Sequence, residues 1–391
     1  MEERTRAYLR GRFRDHYRRA DVALPPDADA REWGYIPWTD GPDETMVRHR
    51  DLLDLGNVED FLRRKRPRHV YFSAGHYETP GASTMVEKDW LGSDLVFDID
   101  ADHLPTVTLG EDTYAEMLAK SKDALVKLLD FLDRDFGFDD LTVVFSGGRG
   151  YHVHVRDESV FPLERDHRRE IVDYVRGNGI EFEELITEEA VGGLGLQNPT
   201  TRRTLPTEGG WGRRVVEHID AFVDELLAMD EEDAILHLRT FDGVGEGRAE
   251  SVLNVVQNNT EAVRSGNVDV HPAFLTVARQ LVAEAVDAEE APIDEPVTTD
   301  THRLIRLPGS LHGGSGLEVV PIERDDLAAF DPLDDAVPET FVGHDIRVDV
   351  EREYELGFRG ETITVAPGEQ TLPEYAGVFL MARGWAEKAT E

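Results

Sequence analysis

A chain of 391 residues is longer than one compact hydrophobic core usually requires, so two or three subdomains are expected. Its 40% hydrophobic content excludes a disordered chain, and the absence of cysteine excludes disulfides, thiolate zinc sites and cysteine nucleophiles. The 80 acidic residues outnumber 42 basic ones, giving a net charge of −38, and they run through the whole chain with no acidic tail. We read them as adaptation to molar salt rather than as an acidic partner-binding surface. Only six of the basic residues are lysine; 36 are arginine. The first fourteen residues are charged throughout and no apolar run approaches about 18 residues. Neither a secretory signal nor a membrane span is therefore expected, and a cytoplasmic location is.

In chain order, Thr5 to Arg19 is strongly basic and reads as a helix. Arg63-Arg64-Lys65-Arg66, with Arg68, forms a second basic cluster ahead of a strand at Val70–Ser73. Either cluster could be a solvated face or a phosphate contact. Leu95–Asp100 reads as a strand. A helix from about Thr113 to Phe136 follows, with Leu118, Leu125, Leu128, Leu129 and Leu132 spaced for one buried face. Strands at Thr142–Phe145 and Tyr151–Val155 flank a glycine-rich turn. From Phe182 to Val286 the pattern is mainly helical, with polar, Gly-rich joints at Gly192–Arg203 and Thr207–Gly212. Within it, Phe241–Ala249 resembles a helix-hairpin-helix turn, or is simply a tight turn between packed helices. β-type sequence returns at Arg303–Leu307 and Leu317–Ile322. Strands at Tyr354–Phe358 and Thr362–Ala366 precede an amphipathic helix at Pro373–Ala386, which either packs on its own core or meets a partner. The expected class is α/β (α+β). Residues 1–181 form the first part of a core, 182–286 a mainly helical insertion, 287–345 the rest of the core, and 346–391 C-terminal strands and a helix.

Three blocks carry chemistry. Asp98 and Asp100 lie two apart in a strand, so their side chains share a face opposite Phe97 and Ile99. Paired carboxylates repel unless a cation intervenes or one is protonated, and hard ions such as Mg²⁺ prefer such oxygens. A solvent-facing edge strand would show the same pattern. In Ser146–His154, the sequence Ser-Gly-Gly-Arg-Gly-Tyr-His-Val-His, glycines admit close backbone approach to an anion. Arg149 offers a planar fork, and His152 and His154 share a strand face. An ordinary hairpin remains open, and a zinc site on both histidines lacks obvious further ligands. Arg303–Leu317 again places arginine, serine, histidine and glycine at a strand-to-turn junction suited to polyphosphate.

Val-Phe-Asp-Ile-Asp, then Ser-Gly-x-Arg-Gly-x-His, then Arg-Leu-Pro-Gly-Ser-Leu-His-Gly-x-x-Gly-Leu, in this order, resemble the small catalytic subunit of archaeal and eukaryotic DNA primases. Arg31-Glu32-Trp33-Gly34 and Met46-Val47-Arg48-His49 are similar to that family's N-terminal region. The likeness spans most of residues 1 to 325. It implies the primase fold, with a mixed sheet, an RRM-like palm and a helical insertion. It implies that Asp98 and Asp100 are catalytic metal ligands for Mg²⁺ or Mn²⁺. The third carboxylate falls by spacing on Asp294, with Asp300 as the alternative. Ser146, Arg149, His152, Arg306 and His312 would hold the incoming triphosphate, joined by Arg48. It further implies a large-subunit partner, a single-stranded DNA template, nucleoside triphosphate substrates, and synthesis of RNA primers with DNA extension. Members of that family usually carry a zinc knuckle of cysteines and histidine shortly after the Asp-x-Asp strand; His103–Leu118 holds no cysteine, so a four-ligand zinc is not expected here. The competing readings are a repair primase-polymerase and a non-catalytic DNA-binding scaffold.

Overall fold

The computed structural model describes residues 1–39, 45–191 and 200–390. Part of the joint expected at Gly192–Arg203 thus lies outside the described residues. The strands are β1 (Arg31–Ile36), β2 (Val47–Arg50), β3 (His69–Tyr77), β4 (Trp90–Ser93), β5 (Leu95–Asp100), β6 (Leu141–Phe145), β7 (Gly150–Val155), β8 (Thr187–Val191), β9 (Thr200–Thr204), β10 (Leu304–Arg306), β11 (Val320–Ile322), β12 (Asp345–Val350), β13 (Tyr354–Phe358), β14 (Glu361–Val365), β15 (Gly368–Pro373) and β16 (Ala386–Lys388). The chain divides into two compact units.

The first unit comprises Met1–Val126, Phe138–Val172 and Pro292–Glu391. Two sheets position its chemistry. One has the order β10-β3-β1-β2, with β4 also on β3; the other runs β11-β6-β7-β5. In β5, Phe97 and Ile99 are buried while Asp98 and Asp100 are only half-buried, the alternation that a strand with one polar face requires. The α/β class therefore holds. The pairings within these two sheets run antiparallel, where a mixed sheet was expected. The β6–β7 pair is closed by a tight turn, and such turns join antiparallel neighbours; a parallel pair would need a long crossover.

One carboxylate joins the two sheets. Asp94 accepts from the fully buried Arg31 of β1 at 2.9 and 3.2 Å, and from Arg156 beyond β7 at 3.3 Å; its carboxylate lies 3.1 Å from His76 Nε2 of β3. Burial opposes ionisation of Asp94, but these partners outweigh it and hold the pKa down at about 2.

The second unit comprises Lys127–Gly137 and Asp173–Ala291. Helices Gly210–Ala228, Glu246–Asn258 and Pro272–Glu289 bury Ile219, Val223, Val252, Phe274 and Leu281 in a common core. Arg214 stacks 3.7 Å above the Phe131 ring and pairs with Asp130 at 2.5 Å and Asp135 at 2.6 Å. Ala291 N–H donates to the Val175 carbonyl at 3.2 Å, so the two ends of this unit's main segment are side by side. The turn before Glu246–Asn258 has Gly243 in the left-handed region, and Arg248 donates to its carbonyl at 2.7 Å.

Three expectations need correction. The stretch read as mainly helical also contains the β8–β9 hairpin, whose polar sequence hides its strand alternation. The helix expected to run to Phe136 is α-helical over Tyr114–Phe131 and ends in a wider π turn at Leu132–Phe136. The C-terminal helix covers only Glu374–Ala382, because Gly384 turns the chain into β16. That helix is buried along most of its length in its own unit.

Candidate active site

The register of β5 on β7 pairs Asp98 with His152 and Asp100 with Gly150. A Cβ at Gly150 would lie 1.6 Å from the Ile99 carbonyl oxygen, so only glycine lets the turn approach β5 this closely. Gly147, at φ +72°, lies where a Cβ would be 2.8 Å from His312 Cβ. The glycines in this turn thus bring the first and third sequence blocks against the second.

Asp294 arrives from far downstream. Its backbone N–H donates to the Asp98 carbonyl at 2.9 Å, and its carboxylate lies 3.5 Å from His103. Burial raises the Asp98 pKa to about 6, with Asp100 and Asp294 adding to the rise and Arg306 and Arg303 opposing it. Among the described residues no three carboxylate or imidazole groups close on a common point. Asp100 and Asp294 are near enough to act on the Asp98 charge, although the three side chains do not meet at one point. Carboxylate oxygens are the donor type that hard divalent cations prefer. No cysteine exists in the chain, so a cysteine-ligated knuckle cannot form.

Two clefts meet at Arg306. One, of about 290 Å³, is lined by Arg48, Asp98, His152, Asp300 and Arg306. Arg48 is held there by the fully buried Glu32, at 3.2 and 3.3 Å, and Glu32 also takes the buried Lys88 at 2.5 Å. Asp300 accepts from His302 N–H at 2.9 Å, so the alternative third carboxylate borders the same cleft as Asp98. The other cleft, of about 350 Å³, is lined by Asp100, Ser146, Arg149, Arg306, His312 and Arg383. All the sequence-nominated residues therefore border one or other cleft, apart from Asp294, which reaches Asp98 through the backbone.

Burial and nearby arginines hold both site histidines well below their ordinary pKa. For His152 burial leads, followed by His154, Arg306 and Arg303; for His312 burial leads, followed by Arg306 and His69. The rings are neutral. His312 Nδ1 accepts from Gly314 N–H at 3.2 Å, which puts the ring proton on Nε2, available as a donor. His152 Nε2 lies 3.5 Å from the Asp98 carboxylate. Arg149 pairs with Asp102 and lies 3.9 Å from Asp100. His154 lies deeper, its ring stacked on Phe72.

Sequence reading missed Asp102, Tyr114 and Arg383. The Tyr114 hydroxyl donates to the Gly148 carbonyl and pins the turn. Arg383 is walled by the rings of Tyr114, Phe379 and Trp385 at 4.4 to 5.0 Å, and its buried Nε has no hydrogen-bond partner. The available signal was a lone arginine closing the apolar run Val378–Ala382.

Comparison with known proteins gives a concordant result. The family described as DNA primase small subunit matches residues 97–324. Curated proteins named DNA primase small subunit PriS are similar along the whole chain. That of Halobacterium salinarum is 68% identical over 391 residues, covering all of both chains. That of Haloarcula marismortui is 66% identical over 392 residues, again covering both completely. That of Methanothrix thermoacetophila is 43% identical over 398 residues, covering 99% of this chain and all of the relative.

Proposed function

Because the chain belongs to the DNA primase small-subunit family, and so is the catalytic, nucleotidyltransferase-type subunit of a primase, we propose that Asp98, Asp100 and Asp294 are its catalytic carboxylates. The observation that carries this reading is the 2.9 Å hydrogen bond from Asp294 N–H to the Asp98 carbonyl, which joins a distant third acid to the Asp-x-Asp strand. The three carboxylates would hold Mg²⁺ or Mn²⁺. A divalent ion bound there supplies charge neutralisation for the triphosphate and lowers the pKa of the primer 3′-hydroxyl.

The chain's own groups do the positioning. Ser146, Arg149, Arg306 and neutral His312 receive the triphosphate by hydrogen bonding and charge, and Arg383 reaches the same cleft. His152 donates from beside Asp98, and Arg48, fixed by Glu32, faces the neighbouring cleft. The primer hydroxyl attacks the α-phosphate of the nucleotide and pyrophosphate leaves; the protein holds the reactants in line and disperses the charge. The substrates are nucleoside triphosphates on a single-stranded DNA template, with RNA primers made and DNA extension supported. The partner is a primase large subunit, as the relatives' names imply, and the setting is the cytoplasm. Among the described residues no helix is long and apolar enough to cross a membrane.

Labelled-nucleotide extension of a primed template in high salt tests the assignment. Asp98→Ala and Asp100→Ala should abolish incorporation while circular dichroism stays native. Asp294→Ala should do the same and Asp300→Ala should retain activity; the reverse pattern would move the third carboxylate to Asp300. Full activity in the Asp98 and Asp100 variants would remove the metal roles altogether.

A further inference from the structure

The site described above uses none of the charge on the first helix, Glu3–Tyr17. Arg10, Arg14 and Arg18 recur every fourth residue along it and its C-cap, so their attachment points rise about 6 Å apart along neighbouring positions of one face. The helix Val58–Lys65 ends against this one. Arg63 Nε donates to the Tyr17 carbonyl at 3.2 Å, and the buried Tyr17 hydroxyl lies 3.5 Å from the Pro67 carbonyl. These contacts set a second basic run beside the first.

Residues 10–19 and 63–68 together hold ten cations and one carboxylate, Asp15, in a chain whose acids outnumber its bases 80 to 42. Local acids balance only some of this charge. Glu374 takes Arg12 at 2.7 Å, Glu59 takes Arg63 at 2.8 Å, and Asp15 is shared among Arg12, Arg14 and Arg18. Arg10, Arg64 and Lys65 are exposed. Arg66, at φ +52°, has a buried Nε with no hydrogen-bond partner. Burial and then the charges of Arg14, Arg10 and Arg18 lower its guanidinium pKa. The ridge continues to the site, where Arg68 Nε donates to the Gly313 carbonyl at 3.3 Å and the His69 ring lies 4.9 Å from that of His312.

We infer that this ridge is the track along which the phosphate backbone of single-stranded template DNA reaches the His312 cleft. The inference rests on the template-directed synthesis proposed above and names the surface that meets the template. Three observations favour a polynucleotide over an acidic protein. The cations recur at a spacing suited to a repeating polyanion; nine of the ten are arginines, whose planar forks grip phosphate oxygens; and the line runs into the catalytic cleft. At roughly 1 M salt the Debye length is only about 3 Å, so the acidic surface elsewhere does not repel a strand in direct contact with these forks.

The test is fluorescence anisotropy of a labelled oligothymidylate in molar KCl. It uses the full chain carrying Asp98→Asn, so that strand binding is read without synthesis. Adding Arg10→Gln, Arg14→Gln and Arg66→Gln should raise Kd at least tenfold. It should also flatten the slope of log affinity against log salt by about 2, since each lost single-strand phosphate contact contributes about 0.7. If the triple variant misfolds, Arg10→Glu with Arg64→Glu, both at exposed positions, should still weaken binding. Unchanged Kd in a folded variant overturns the proposal. So does retained strand affinity with lost capture of the large subunit, which would make the ridge a protein interface. Primer extension by the unaltered chain tests the enzymatic reading separately, so either can fail without the other.

Discussion

At Asp98 the placement proposed for catalysis opposes stability. Its pKa of about 6, against an ordinary 3.8, means that the folded chain holds this proton more tightly than the unfolded chain does. Stability is therefore lost as pH rises from about 4 through about 6, and the loss is complete above that window. Without divalent ion, Asp98→Asn should be more stable than the parent by about 1–3 kcal/mol near neutral pH and equal to it at about pH 4. Mn²⁺ should raise the parent's melting temperature and leave the variant's unmoved; differential scanning fluorimetry reads both. At Arg383, replacement by Gln should raise the nucleotide KM about tenfold, the scale of one charge-assisted hydrogen bond, with a native melting curve. Steady-state kinetics on a saturating primed template checks this. That Asp98 and Asp100 share a strand face, and that Ser146 and Arg149 share a turn, was legible from spacing; the roles proposed for them came from the family resemblance. Asp102 and Arg383 were not, because each is defined by what a remote segment places opposite it.

Sheet joints are the corresponding feature at the scale of elements. Asp94 faces Arg31, His76 and Arg156, so Asp94→Ala would leave a fully buried guanidinium without its counter-charge. The expected loss is about 3–5 kcal/mol, measured by urea unfolding. Gly150→Ala should cost about 3 kcal/mol or more and remove activity with it, because its Cβ would collide with the β5 backbone and push the turn off Asp100. Strands β5, β6 and β7 were readable from alternation and β-branched composition. Strand β1 was not: Arg31 and Glu32 open it with charges that ordinarily mark a surface, and only tertiary partners make them core residues. The β8–β9 pair escaped for a related reason, since its residues are mostly Thr, Glu and Arg and the adjacent Ala190 and Val191 give no alternating apolar face to count.

For the whole molecule, the excess of carboxylates sets the working medium. With a net charge of −38, self-repulsion should fall as the Debye length shrinks from about 10 Å at 0.1 M salt to about 3 Å at 1 M. The melting temperature should climb steadily with KCl over that range; a flat profile in a thermal scan would remove the salt-adaptation reading. The order of the three polar blocks was visible in the sequence, but their convergence was not, because a long helical segment separates the second from the third. The pairing of Val175 with Ala291 bears on that separation. A segment whose two ends touch behaves as a cassette: its internal length can change while its entry and exit points stay in place, as long as Arg214 keeps Asp130, Phe131 and Asp135. Gene duplication and recombination can then tune what that cassette does while the machinery outside it keeps its geometry.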